Sequence, residues 1–171
     1  MNDEFLALNI AVLTVSDTRD EDSDTSGQLL VGAIGDAGHH TAAKKIVKDN
    51  IYQIRAIVSK WIADNNIDVI ISTGGTGVTG RDSTPEAITA LLDKTIEGFG
   101  ELFRSISYPD IGASALQSRC VAGVANGTYI FCLPGSKNAC ATAWDKILKT
   151  QLDKRSKPCN FAMLISRLQE K

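Results

Sequence analysis

The chain is poor in the residues on which much side-chain chemistry depends. It has two histidines, adjacent at His39 and His40, and four cysteines, Cys120, Cys132, Cys140 and Cys159, none spaced as C-x-x-C. Neighbouring residues of a strand point to opposite faces, so the two histidines cannot close on one metal from there. A zinc knuckle, a histidine-rich metal centre and a serine–histidine triad therefore lack their parts. Reduced thiols are the expectation for the cysteines. Neither sign of charge is in excess: the net charge is −2, whereas nucleic-acid partners call for a basic surplus. No nucleic acid is expected, and any phosphate ligand must be held by backbone amides, hydroxyls or a metal ion. No apolar run approaches the ~20 residues of a membrane span. The opening Met1-Asn2-Asp3-Glu4-Phe5 has neither the basic nor the apolar region of a signal peptide. The reading is a cytoplasmic protein with no membrane contact.

What is present is ordinary globular material. The 171 residues are 43% hydrophobic and 22% charged, which suits a single domain over 1–171 with a sizeable core. Elements alternate along it. Residues 8–15 (LNIAVLTV) read as a buried first strand, followed by an aspartate-rich loop over 16–24 and a helix over 26–37 that Gly38 ends. A more exposed strand over 41–47 follows. Ile51, Ile54, Ile57, Val58, Trp61 and Ile62 then form a helical stripe with Asn50 as its cap. Residues 68–73 (DVIIST) read as another buried strand, and a helix begins at Pro85, capped by Thr84. Further helices are expected over 99–106 and 112–118. Residues 121–125 and 128–133 form a hairpin turning at Asn126-Gly127. Pro134-Gly135-Ser136 breaks the chain before a helix over 138–148, a lysine-rich solvated end over 146–157, and a last helix over 160–168. Alternating strands and helices imply an α/β fold with a mostly parallel sheet. Ligands in such sheets sit beyond the carboxyl ends of the strands, where the loops 16–24, 74–83 and 134–138 are expected to converge.

The glycine-rich loop over 73–80 (TGGTGVTG) carries the clearest chemistry. On paper it matches both G-x-G-x-x-G and, nearly, the phosphate loop G-x-x-x-x-G-K-[ST]. Neither holds. Arg81 and Asp82 stand where the phosphate loop needs lysine and a hydroxyl. The dinucleotide fingerprint needs a helix starting among the glycines, not at Pro85. What survives is physical: glycines let amides approach an anion closely, Thr73 and Thr76 add hydroxyl donors, and Asp82 can hold Mg²⁺ against phosphates. The alternative is a tight strand-to-helix turn with a solvated aspartate.

Thr73-Gly74-Gly75-Thr76-Gly77, then Arg81-Asp82-x-Thr84-Pro85-Glu86-Ala87, then Pro134-Gly135-Ser136, occur in order. With Thr14-Val15-Ser16-Asp17, Asp49 and Ser118-Arg119, they resemble the molybdenum cofactor biosynthesis protein family over nearly the whole chain. The likeness is greatest to its B-type (MoaB) members and extends to the Mog-type molybdopterin adenylyltransferases. The resemblance implies a three-layer α/β/α sandwich of molybdopterin-binding type and a homotrimer or homohexamer. It also implies Mg²⁺-dependent transfer of AMP from ATP to the terminal phosphate of molybdopterin, with pyrophosphate released. A protein that only binds or delivers molybdopterin is the alternative. On this reading Asp49 and Asp82 are the essential carboxylates, with Asp82 holding the metal. Asp17, Gly74, Gly75, Thr76 and Gly77 meet nucleotide and phosphate. Ser118, Pro134, Gly135, Ser136 and Asn138 form the pterin pocket. Each has a plainer rival: Asp49 a turn residue beside the cap, Asp17 part of a solvated loop, Ser118 a helix end, Asn138 a cap with Ser136 in its turn. Lys137 departs from the second proline that many relatives carry at that place.

Overall fold

Residues 4–170 are described by a computed structural model. Its strands are β1 (Asn9–Val15), β2 (His40–Val47), β3 (Val69–Thr73), β4 (Lys94–Thr95), β5 (Val121–Ala125) and β6 (Thr128–Leu133). They form one sheet in the order β2-β1-β3-β6-β5-β4. β1 pairs in parallel with β2 and β3, and β3 with β6; β5 runs antiparallel to both β6 and β4. The sheet is mostly parallel, as the alternating elements imply. Its central strand β3 is buried at all five positions, which is why it is a continuous apolar run rather than an alternating one.

The register decides where ligands can meet the sheet. Thr14 lies opposite Thr73, and Thr73 opposite Leu133. The adjacent strands β1, β3 and β6 therefore end at one level, and the loops that follow them leave side by side. The chain winds outward from β1 to β2 and then crosses back to β3 on the other side, so this edge is a topological switch point.

The helices are α1 (Thr25–Asp36), α2 (Ile51–Ile62), α3 (Thr84–Thr89), α4 (Glu97–Ile111), α5 (Lys137–Ala143) and α6 (Lys149–Gln151). α1, α4 and α5 cover one face, packing Leu30, Phe103 and Cys140 against Ile10, Val12, Ile71 and Phe131. α2 and α3 cover the other, setting Ile54, Val58, Trp61 and Ile88 against Leu13, Ile70 and Ile130. Each such aliphatic side chain stabilises the fold by ~1.5–3 kcal/mol. The result is the expected α/β/α sandwich. Asn50 caps α2, its side-chain oxygen accepting from the amides of Tyr52 at 3.0 Å and Gln53 at 3.1 Å. The hairpin turns as expected, with Asn126 and Gly127 both at positive φ.

Several boundaries differ from the sequence reading. Helix α1 starts earlier, because the fully buried Asp24 caps it through the amide of Gly27 at 2.9 Å. The cap position of α3 is Ser83, and Thr84 lies within the first turn, where its amide is drawn to the carbonyl of Gly75 at 3.0 Å. Ser136 rather than Asn138 caps α5, accepting from Ala139 at 3.1 Å. The expected helix over 138–148 is α5 continued through a π turn at Trp144–Leu148 into α6. The helices expected over 112–118 and 160–168 are 3₁₀ turns, Gly112–Gln117 and Ala162–Arg167. The two-residue β4 was not expected.

Candidate functional site

The edge of β1, β3 and β6 carries the candidate site. Gly74 and Gly75 have φ of +101° and +64°, a region that side chains other than glycine's rarely adopt. Space is equally restrictive. A methyl on Gly74 would strike the carbonyl of Val15, and one on Gly75 would strike Thr84 Oγ1 and come within 2.7 Å of Asp49 Oδ2. One on Gly77 would lie 2.5 Å from Asp82 Oδ2. Gly135 packs the loop after β6 onto Gly74, a methyl there coming 3.2 Å from the Gly74 Cα. Missing side chains thus let the glycine loop, both carboxylates and the Pro134–Ser136 segment crowd together.

Carbonyls at the back of this loop are tied down. Thr84 donates to Gly75 O at 3.0 Å. The guanidinium of Arg119 donates to Thr76 O at 3.2 Å, Gly77 O at 2.8 Å and Asp82 O at 3.1 Å, and it pairs with Glu86. Among the described residues, the amides of Gly75 and Thr76 have no internal acceptor. A strip of peptide with its carbonyls anchored and amides unspent is suited to an anion.

Thr76 and Gly77 line a cavity of about 670 Å³ together with Ser118, Pro134, Ser136 and Asn138. That size suits a small organic ligand, and α4 supplies a further wall through Phe103 and Ser107. Gly74, Gly75 and Gly135 are not part of the cavity lining. Asp82 does not line it either, and Asp17 and Asp49 lie outside it. Arg81 holds them: its Nε is 2.9 Å from Asp17 Oδ2, and it donates to Asp17 Oδ1 at 2.9 Å and to the Asp49 carbonyl at 3.3 Å. Asp17 also accepts the Asp49 amide at 3.2 Å. Asp49 Oδ1 accepts from the Ser83 amide and hydroxyl at 3.2 and 2.9 Å, so the carboxylate is fixed beside Gly75.

Asp82 folds back on its own turn, accepting from the Thr79 amide at 2.9 Å and hydroxyl at 2.5 Å. The Thr79 hydroxyl above all holds the Asp82 carboxyl below its ordinary range, against burial and with help from the Thr79 and Gly77 amides and the charge of Arg119. It is firmly ionised at neutral pH. One expectation fails here: the Thr73 hydroxyl donates to Pro134 O at 2.9 Å and meets Cys140 Sγ at 3.1 Å. It ties β3 to the loop after β6 and is not offered to a ligand.

Among the described residues no three His, Cys, Asp or Glu side chains come together as a metal cage. Oxygen donors are nonetheless in place. The buried Thr84 Oγ1 has no partner, and it and Asp49 Oδ2 both border Gly75. Two carboxylates and hydroxyls are hard donors of the kind Mg²⁺ takes when phosphate oxygens and water complete its shell. The three buried cysteines offer no competing chemistry: burial pushes the thiols of Cys120 and Cys132 up to about 12 and that of Cys140 up to about 11. The sequence places Arg119 in a motif without indicating its role, because its acceptors are mostly backbone carbonyls with no sequence signature.

The sheet order, the glycine loop and the adjoining cavity define an α/β domain with its site at the carboxyl edge of a parallel sheet. Residues 11–154 match the family described as probable molybdopterin binding domain. Molybdenum cofactor biosynthesis protein B of Escherichia coli strain K12 is 55% identical over 158 residues, which cover 92% of this chain and 93% of that one. Its namesake in Bacillus subtilis strain 168 is 44% identical over 142 residues, covering 82% and 84%. A crystal structure of molybdenum cofactor biosynthesis protein B superposes with a TM-score of 0.84 at 43% identity, over 86% of this chain and 92% of that one. The tungsten cofactor synthesizing protein MoaB from Pyrococcus furiosus gives 0.74 at 36%, over 83% and 91%. The chain belongs to the molybdenum cofactor biosynthesis protein B (MoaB) family, and so to the proteins of molybdenum cofactor biosynthesis.

Proposed function

We propose that the protein adenylylates molybdopterin. The observation that carries this reading is the glycine loop: unspent amides at Gly75 and Thr76, the latter lining a ligand-sized cavity, with Asp49 packed against Gly75 and Asp82 against Gly77. In the reaction an oxygen of the terminal phosphate of molybdopterin attacks the α-phosphorus of ATP. A new P–O bond forms, the bond between the α-phosphorus and its β-bridging oxygen breaks, and pyrophosphate leaves with the electron pair. Such transfers need positioning and charge neutralisation rather than a protein nucleophile, which suits a chain whose Cys120, Cys132 and Cys140 are buried.

Gly74, Gly75, Thr76 and Gly77 cradle phosphate, and Asp17 stands toward the nucleotide. Ser118, Pro134, Gly135, Ser136 and Asn138 shape the pterin pocket. Asp82, with Asp49 nearby, would hold Mg²⁺. When bound, the cation neutralises charge on the phosphates and the leaving pyrophosphate. The working form is a homotrimer or homohexamer. The second reading, a protein that binds or delivers molybdopterin without turnover, rests on Arg81: its guanidinium already occupies the carboxylate of Asp17.

Incubation with molybdopterin, ATP and Mg²⁺, followed by mass spectrometry, tests the proposal. Adenylylated pterin from the wild type, lost in Asp82→Asn, is the expected result. Pterin binding without product would leave the second reading.

A further inference from the structure

The last turn of α4 breaks two local rules. Pro109 sits inside the helix, where it has no amide to give the preceding turn and its ring crowds the carbonyl of Ser105. Asp110 then places a carboxylate at the negative end of the helix dipole, with no basic residue in that turn to offset it. The Asp110 side chain is exposed, and among the described residues it makes neither an ion pair nor a hydrogen bond. Such uncompensated choices are expected where function sets the residue.

Asp110 also lines the 670 Å³ cavity, and among the described residues that do so it is the one charged side chain. Thr76 and Gly77 line the same cavity, and the Thr76 amide there has no internal acceptor among the described residues. A ligand that fills it is therefore asked for two kinds of group: an anion at the loop and paired N–H donors at the carboxylate. Phe103 and Ile111 give the wall around Asp110 an apolar surface, which favours a flat ring.

We infer that Asp110 is the residue that selects the pterin ring, its two carboxylate oxygens accepting from a ring N–H and the adjacent exocyclic amine. This inference rests on the proposed binding of molybdopterin. A carboxylate matches that donor pair in the way it matches a guanidinium, two parallel charge-assisted bonds. It repels a ring that presents a carbonyl where the amine should be.

The test compares the wild type with Asp110→Asn, each first shown by thermal melting to be folded. Asp110→Asn is expected to weaken molybdopterin binding about 10- to 100-fold and to leave binding of inorganic pyrophosphate unchanged. The wild type should prefer a 2-amino-4-oxopteridine over its 2,4-dioxo analogue, and the variant should lose that preference. Equal molybdopterin affinity in both proteins overturns the inference, as does an equal loss for pyrophosphate. The proposed function fails on its own terms if the wild type does not bind molybdopterin. In that case the two pteridines still decide Asp110: a wild type that binds them alike, or a variant that still separates them, contradicts the assignment.

Discussion

At the scale of single residues, Gly74 is restricted by both its torsion and the Val15 carbonyl against it, whereas Gly80 has open space where a side chain would go. Gly74→Ala should cost ~3 kcal/mol in denaturant unfolding and Gly80→Ala less than ~0.5 kcal/mol. Arg119 makes a different prediction. Lysine at 119 keeps the charge for Glu86, but one ammonium cannot serve the carbonyls of Thr76, Gly77 and Asp82 together. Arg119→Lys is expected to melt within a few degrees of the wild type while losing about tenfold in pyrophosphate affinity, measured by calorimetric titration. Equal affinity would show that the loop holds its shape unaided. The sequence made Gly74 legible, since glycines in a row announce close approach. Arg119 was not, because a guanidinium that holds backbone carbonyls looks like any other arginine.

At the scale of elements, the caps show where local pattern suffices. Asn50 is followed by an unmistakable helical stripe, and it accepts two amides as expected. Asn50→Ala should cost ~1 kcal/mol in thermal or denaturant unfolding. Helix α3 resisted the same reasoning because its first turn is set by a tertiary bond, Thr84 to Gly75, rather than by a side-chain cap. β1 and β2 are joined to the start of the chain through His39, whose Nδ1 accepts the Leu8 amide at 3.1 Å while its ring lies 5.1 Å from that of Phe5. Burial holds His39 below its ordinary value of 6.5, against the charge of Asp153. The neutral ring is thus favoured in the folded state, and its contribution is full above pH 6.5. It is lost as pH falls toward the depressed folded value, where protonation would also remove the acceptor. The melting temperature should drop between pH 7 and pH 5, and drop less in His39→Asn. Parallel slopes in the two proteins would assign the acid sensitivity to other groups.

Over the whole molecule, the sheet and its three layers were legible from alternating apolar runs, and the glycine loop from its composition. The cavity was legible only in part. Pro134, Ser136 and Asn138 follow a strand, as ligand loops do, whereas Phe103, Ser107 and Asp110 reach the same space from a helix whose sequence looks like ordinary core. That helix divides its apolar residues. Phe99 and Phe103 enter the core, but Leu102 and Tyr108 stay 49% and 63% exposed, with Leu116 just beyond at 83%. Large apolar side chains in such a group suit contact with another copy. Light scattering at micromolar concentration should give three or six times the monomer mass, and a monomer would contradict the proposed assembly. Among the described residues, no helix is long and apolar enough to cross a membrane.

The central claim is that the amides of the glycine loop receive phosphate. The measurement that meets it most directly is a titration of ¹⁵N-labelled protein with pyrophosphate and Mg²⁺, following backbone amide shifts. The largest movements are predicted at Gly75 and Thr76, with smaller ones at Gly77 and Asp82 and none at the Asn126-Gly127 turn. Saturable shifts confined to the lysines of β2, with the glycine loop unmoved, would contradict the account.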